Sequence, residues 1–195
     1  MATSASLSRT SDFFREVVAE APVDPRLEAC LQCGTCGGSC PSGPDMDHTP
    51  RALFAMIAAG MRDAVLRSNT PWYCVSCYYC MERCPQEIRI TDVMYTLKRM
   101  AIKAGYSAQT STPKAPGFAQ NFVDHVENYG RSFELGLITR YYLTHRPLDA
   151  LKMAPLGMGL LKRKRLDLNP RPIRQIDQLK AILNRAREID AAHAV

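Results

Sequence analysis

Long hydrophobic runs are the first thing this 195-residue chain lacks. A bilayer span takes roughly 20 consecutive apolar residues. The longest apolar stretch, residues 153–161, is interrupted by Pro155, Gly157 and Gly159, which argues against a transmembrane segment. Residues 1–10 lack the basic start and apolar block of a secretory leader, so the chain reads as soluble and cytoplasmic. Strand-type alternation is scarce, and a mainly α-helical fold is expected. A nucleotide fingerprint is missing too. Gly157-Met158-Gly159 has Lys162 where a third glycine belongs, and no strand precedes it. The four histidines, His48, His125, His145 and His193, are scattered. No Ser-His-Asp or Cys-His grouping can be read, so no catalytic residue is assigned.

What is present suffices for a folded protein. Apolar residues make up 46% and aromatics 8%, which rules out wholesale disorder. The net charge of +6 is unevenly placed. Residues 1–150 hold 15 basic and 15 acidic side chains, whereas residues 151–195 hold 10 and 4. Lys162, Arg163, Lys164 and Arg165 form the densest run. They read as the solvated end of a helix, or as a docking surface for an acidic partner or a membrane surface. No helix-turn-helix pattern or aromatic stacking series accompanies them, so no nucleic acid is expected.

Capping and breaker signals divide the chain into residues 1–23, an N-terminal arm and short helix; 24–106, a first domain; 107–117, a linker; and 118–195, a helical C-terminal extension for partner docking. Ser11 caps a helix carrying Phe14, Val17 and Val18. Asp24-Pro25 reads as an N-cap followed by proline at the first helical position, and Thr49-Pro50 repeats that signal. The helix opened at Thr49 carries Leu53, Phe54, Met56 and Ile57 and stops at Gly60. A brief helix over residues 62–67 and a turn at 68–71 follow. Thr91 starts a further helix, with Val93, Met94, Leu97 and Met100 on one face and Gly105 at its end. Pro113, Pro116 and Gly117 mark the linker. Phe118, Phe122, Val126 and Tyr129 form a stripe beyond it, with later helices over residues 133–144 and 173–189.

All eight cysteines fall into one repeat. Cys30, Cys33, Cys36 and Cys40 precede Pro41; Cys74, Cys77, Cys80 and Cys84 precede Pro85. Both runs read C-x2-C-x2-C-x3-C-P, the pattern of paired cubane clusters in which each fourth cysteine serves the other cluster. Three thiolates two residues apart wrap one face of a cube from a tight loop, and the fourth corner must come from elsewhere. The residue before proline is held extended, which projects Cys40 and Cys84 away from their own loops. Gly34, Gly37 and Gly38 allow the unusual dihedrals of such a loop. The expected sets are Cys30, Cys33, Cys36 and Cys84 for one [4Fe–4S] cluster and Cys74, Cys77, Cys80 and Cys40 for the other. Zinc is the competing reading, but it needs neither the middle cysteine of each triplet nor the terminal Cys-Pro. Trp72, Tyr73, Tyr78 and Tyr79 crowd the second run and are expected to shield it from water. With every thiol committed, none remains to attack a disulfide, and no bond-making chemistry is expected of this chain alone.

Residues 30–43 (CLQCGTCGGSCPSG) resemble the first cluster motif of the C-type iron–sulfur subunit of heterodisulfide reductase, and residues 72–85 (WYCVSCYYCMERCP) its second. Residues 129–137 (YGRSFELGL) and 154–157 (APLG) resemble the family's C-terminal segments. The resemblance implies an α-helical ferredoxin domain with two cubanes. It also implies a hetero-oligomer in which electrons pass between an A-type flavoprotein and a B-type catalytic subunit that handles sulfur. Residues 68–72 (SNTPW) and 94–99 (MYTLKR) are similar to the bacterial sulfur-oxidising branch, which implies sulfane oxidation. The alternatives are the methanogenic-type heterodisulfide reductase or another oxidoreductase, such as glycolate oxidase, whose iron–sulfur subunit shares the cluster motifs.

Overall fold

The computed structural model describes residues 11–145, 147–166 and 168–193. The arm expected over residues 1–10 lies outside them. Among the described residues there are ten α-helices and no strand, as the scarcity of alternation predicts. The chain divides into two compact units, Met1–Pro116 and Gly117–Val195.

In the first unit, helix α1 (Asp12–Glu20) is capped by Ser11, whose Oγ accepts from the Phe14 N–H at 3.1 Å. The same hydroxyl donates to the Ile57 carbonyl at 2.9 Å, tying this cap to the end of α3 (Pro50–Ala58). Thr49 caps α3 as expected, accepting from Ala52 N at 3.3 Å. Gly60, at φ 75°, ends that helix in the left-handed conformation that costs glycine least. The short α4 (Arg62–Arg67) follows. Arg62 grips Glu16 of α1 with two bonds of 2.9 Å, and this holds the Glu16 carboxyl below its ordinary range.

Helix α6 (Ile90–Lys103) is the spine of this unit. Its Ile90, Val93, Met94, Leu97, Met100 and Ala101 pack with Phe13, Phe14 and Val17 of α1, Leu53, Phe54 and Ile57 of α3, and Val65 and Leu66 of α4. Leu97 and Ile57 are wholly buried. Truncating either to alanine removes burial and leaves a void, at a cost of roughly 2–5 kcal/mol.

One expected helix start is corrected. Asp24 caps no helix at Pro25. Its side chain accepts from Arg26 N at 2.9 Å, Arg26 is left-handed, and only a single 3₁₀ turn, Leu27–Ala29, leads to Cys30. Helix α6 begins within one residue of Thr91, as expected, and Thr91 lies buried in its first turn.

Helix α7 (Lys114–Tyr129) begins in the last residues of the first unit, within the stretch read as irregular from Pro116 and Gly117, and most of it belongs to the second. Proline is tolerated there because the first-turn N–H groups have no helical partner. Helix α8 (Glu134–His145) covers the expected span. Helix α9 (Pro147–Lys162) runs through Pro155 and ends at the basic run, read from the sequence as the end of a helix. The last helix, α10 (Ile176–His193), starts later than expected, because Ile173 donates its N–H to the Tyr129 carbonyl at 2.9 Å. The buried positions of α7 are Pro116 and two polar residues, Asn121 and His125. Asn121 donates to the Leu137 carbonyl at 3.1 Å, and the Asn121 carbonyl lies 2.8 Å from Nδ1 of His125. Phe118 and Phe122 of the predicted stripe stay largely exposed. No described helix is long and apolar enough to cross a membrane.

Candidate metal centre

Each cysteine run forms a loop that closes into one helical turn, α2 (Thr35–Gly38) in the first and α5 (Tyr79–Glu82) in the second. Gln32 and Gly34 take left-handed backbone before α2, and Ser76 and Tyr78 do so before α5. These positions are 44 residues apart, so the repeat is conformational as well as chemical. Glycine adopts this region freely, whereas Tyr78 occupies it against its preference.

The loops surround two cavities. The first, with about 350 Å³ of space counting its open mouth, is lined by Cys30, Cys33, Cys36 and Cys84, with Arg51, Phe54 and Ile88 among its walls. The second, of about 380 Å³, is lined by Cys40, Cys74, Cys77 and Cys80, with Met46, Pro50, Thr91 and Met94. Ile90 lines both. Cys84 therefore stands with the first triplet and Cys40 with the second.

Local bonding explains that crossing. Downstream of Cys84, Arg89 N donates to the Pro25 carbonyl at 3.0 Å and Arg26 pairs with Glu87 at 2.6 Å. That brings Cys84 beside the loop opening at Cys30. The ion pair is exposed and contributes under about 1 kcal/mol; Leu27 and Ile88, both buried, do more. Downstream of Cys40, the segment 45–48 is clamped by the turn before Cys74. Asn69 accepts from Asp47 N at 2.7 Å and donates to the Asp45 carbonyl at 3.0 Å. Asn69 N in turn donates to the Asp47 carboxylate at 2.8 Å. Thr70 Oγ1 accepts from His48 N at 3.0 Å and donates to the His48 carbonyl at 2.8 Å. Pro25 and Asn69 are 44 apart, as are Asp45 and Arg89, so the two crossings are related by the same repeat.

The thiols differ in their surroundings. Burial pushes the Cys36 and Cys40 thiols up. Cys80 is pushed up to about 11, by burial first and then by the charges of Cys74, Cys36 and Cys77. Cys33 is lowered, chiefly by the Thr35 hydroxyl at 3.5 Å and then by the Thr35 backbone. Gln32 Nε2 donates to Cys30 Sγ at 3.4 Å and Ile88 N to Cys84 Sγ at 3.5 Å.

This arrangement fits a polyatomic, thiolate-held group at each cavity. Among the described residues the thiols line cavity walls and do not converge on one point as ligands of a single ion. An orphaned polar atom adds to the fit. Thr91 is 2% exposed, lines the second cavity, and its hydroxyl has no partner among the described residues. The shielding expected of the aromatics holds in part. Trp72 packs on the core, but Tyr78 and Tyr79 are over half exposed, and the Tyr79 ring lies under Arg83.

Residues 26–88 match the family described as a 4Fe-4S dicluster domain. Beyond that span, the chain is 41% identical over 131 residues to the C-type iron–sulfur subunit of the CoB–CoM heterodisulfide reductase of Methanopyrus kandleri, covering 65% of this chain and 67% of that protein. The chain belongs to the family of C-type heterodisulfide reductase subunits. It is also 43% identical over 82 residues to the C-type subunit of the H2:CoB–CoM heterodisulfide, ferredoxin reductase of Methanothermobacter marburgensis, covering 42% of this chain and 44% of that one. A protein of Archaeoglobus profundus, named as like the C-type heterodisulfide reductase subunit, is 33% identical over 93 residues, 47% of each chain. The chain thus spans about two thirds of the Methanopyrus relative and under half of the other two. The dicluster match and the family assign two [4Fe–4S] clusters to this protein.

The eight cysteines were legible from spacing. Gln32, Thr35, Arg51, Ile90, Thr91 and the Asn69 clamp were not singled out at these cavities. A residue-by-residue comparison across the 44-residue repeat would have flagged Gln32 and Thr35, whose counterparts are Ser76 and Tyr79.

Proposed function

We propose that the protein is the electron-transfer subunit of a heterodisulfide reductase complex. Cys30, Cys33, Cys36 and Cys84 hold one [4Fe–4S] cluster, and Cys40, Cys74, Cys77 and Cys80 hold the other. The observation that carries this is the wall shared at Ile90. Two cysteine-lined cages one side chain apart form a short path for single electrons, and such a path is useful only if each end meets another redox centre. The chain's contribution is to hold the sites, exclude water with the core behind Cys36, and supply donors to the sulfurs. The clusters supply the one-electron chemistry.

The partners on this reading are an A-type flavoprotein and a B-type catalytic protein that acts on a disulfide. The relatives support heterodisulfide chemistry by name. Sulfane oxidation, expected from residues 68–72 and 94–99, has only that resemblance behind it and takes second place. The extension beyond residue 117 is the proposed docking element. It exposes Leu151, Leu156 and Met158 on α9, followed by exposed Lys162, Arg163, Lys164 and Arg165.

Anaerobically purified protein is expected to contain about eight irons and eight acid-labile sulfides per chain. Alone it should turn over no disulfide, and it should support turnover once the flavin and catalytic subunits are added. Disulfide reduction by the isolated chain at the rate of the complex would show it to be an enzyme in its own right.

A further inference from the structure

We propose that Thr91 sets the reduction potential of one cluster only, the one in the cavity of Cys40, Cys74, Cys77 and Cys80, by donating its hydroxyl to a sulfur there. This rests on the ligand sets proposed above. A hydroxyl sealed from water without a partner forfeits the hydrogen bonds it made to solvent, so native proteins rarely leave one. Thr91 is fully buried and stands in the wall of that cavity with its Oγ1 unpaired. A helical threonine ordinarily relieves this by bonding back to the preceding turn, as Thr96 does to the Asp92 carbonyl at 2.9 Å. Thr91 makes no such bond, and a sulfur acceptor held within the cavity would satisfy it.

The rest of the second wall has little to offer. Ser76 Oγ is engaged with the Tyr95 hydroxyl at 2.7 Å, Tyr78 is over half exposed to water, and Met46, Pro50, Val75, Ile90 and Met94 are apolar. Backbone N–H groups of Ser42 and Gly43 reach Cys40, and those of Thr35, Gly37 and Ile88 reach Cys33, Cys36 and Cys84 in the first cavity. The side chains do not balance. The first cavity takes Gln32 on Cys30 and Thr35 on Cys33; the second has Thr91 as its buried hydroxyl donor. Cations lie near both, Arg51 in the first wall and Lys98 at 3.5 Å from the Cys74 carbonyl, so charge does not separate the sites. Reduction adds negative charge shared by the sulfurs, and a donor aimed at them stabilises the reduced form. Hydrogen bonds to sulfur therefore raise the potential.

The test is an anaerobic redox titration of the full chain with both clusters loaded, followed by paramagnetic resonance. Cys80→Ser and Cys36→Ser first identify which signal belongs to which cavity. Thr91→Val should then shift the midpoint of the Cys80 signal to lower potential and leave the other unmoved. Thr91→Ser should restore it, and Thr35→Val should shift only the Cys36 signal. Unmoved midpoints in Thr91→Val at full iron content would overturn the proposal. If valine and alanine at position 91 both lose the second cluster while serine keeps it, the hydroxyl is still assigned; loss in all three would overturn it. The ligand sets are judged separately: Cys40→Ser altering the Cys36 signal would refute the crossing and leave the Thr91 result, referenced to Cys80, intact.

Discussion

Replacing Asn69 with alanine should loosen the second cluster and spare the first. Asn69 is 4% exposed, and its side chain makes three bonds, from Asp47 N at 2.7 Å, to the Asp45 carbonyl at 3.0 Å and to Thr112 Oγ1 at 3.3 Å. At about 1 kcal/mol net for each, the clamp is worth about 3 kcal/mol. The partners on residues 45–47 are only partly buried and recover some of this from water, so about 2 kcal/mol is expected. If iron leaves the second cage through local opening of residues 45–48, that raises the open population about 30-fold, since 1.4 kcal/mol is a factor of ten. The assay is anaerobic iron release to a chelator, followed by the decay of cluster absorption and the paramagnetic signals of the remainder. The Cys80 signal should decay about 30-fold faster than in the unaltered protein, and the Cys36 signal at an unchanged rate. Thr112→Val, which removes only the longest bond, should change little. Equal acceleration of both signals, or none, would refute the idea that this turn holds Cys40 in place.

Cys36→Ser and Cys84→Ser should damage the same cluster and Cys40→Ser the other, read by resonance of each variant. Glu16→Gln should cost up to about 1 kcal/mol, because both partners of the Arg62 pair are 39% exposed and screened by water. The Glu16 carboxyl is lowered first by its bond to Arg62, so the pair's contribution is complete above the ordinary carboxylate pKa and is lost only as pH falls through the lowered one. The stability difference between the two proteins in denaturant should hold from pH 8 to pH 5 and shrink as pH falls below the ordinary carboxylate range; a difference that stays constant through acid pH would mean the carboxyl is not depressed. Reversing the charge of Lys162, Arg163, Lys164 and Arg165 should leave iron content unchanged and weaken assembly with the partner subunits. The unaltered association should fall with added salt, and salt-independent binding would return this run to a solvated surface.

The cysteine spacing by itself determined the chemistry of this protein, because thiolates on a tight loop reach only one face of a cube and the constraint is written into consecutive residues. Helix caps were equally local. Ser11 and Thr49 bond within three residues of themselves, so both helix starts were readable. Asp24 looked the same in sequence, yet its fate depended on Arg89, more than sixty residues away, bonding to Pro25. The spacing also set the expectation that each fourth cysteine crosses to the other triplet, but only the tertiary structure decided which bonds bring it there, because those folding residues 87–89 onto 25–26 and 45–48 onto 69–70 join residues distant in the chain. It also decided the cavity walls. Thr91 has the spacing of a helix start, and nothing in its neighbours reveals that its hydroxyl is buried without a partner in a residue that lines the second cavity. The second unit was least legible for the opposite reason. Its helix α7 buries Asn121 and His125 and leaves Phe118 and Phe122 exposed, because apolar spacing marks a helix face but not whether this chain or a partner covers it.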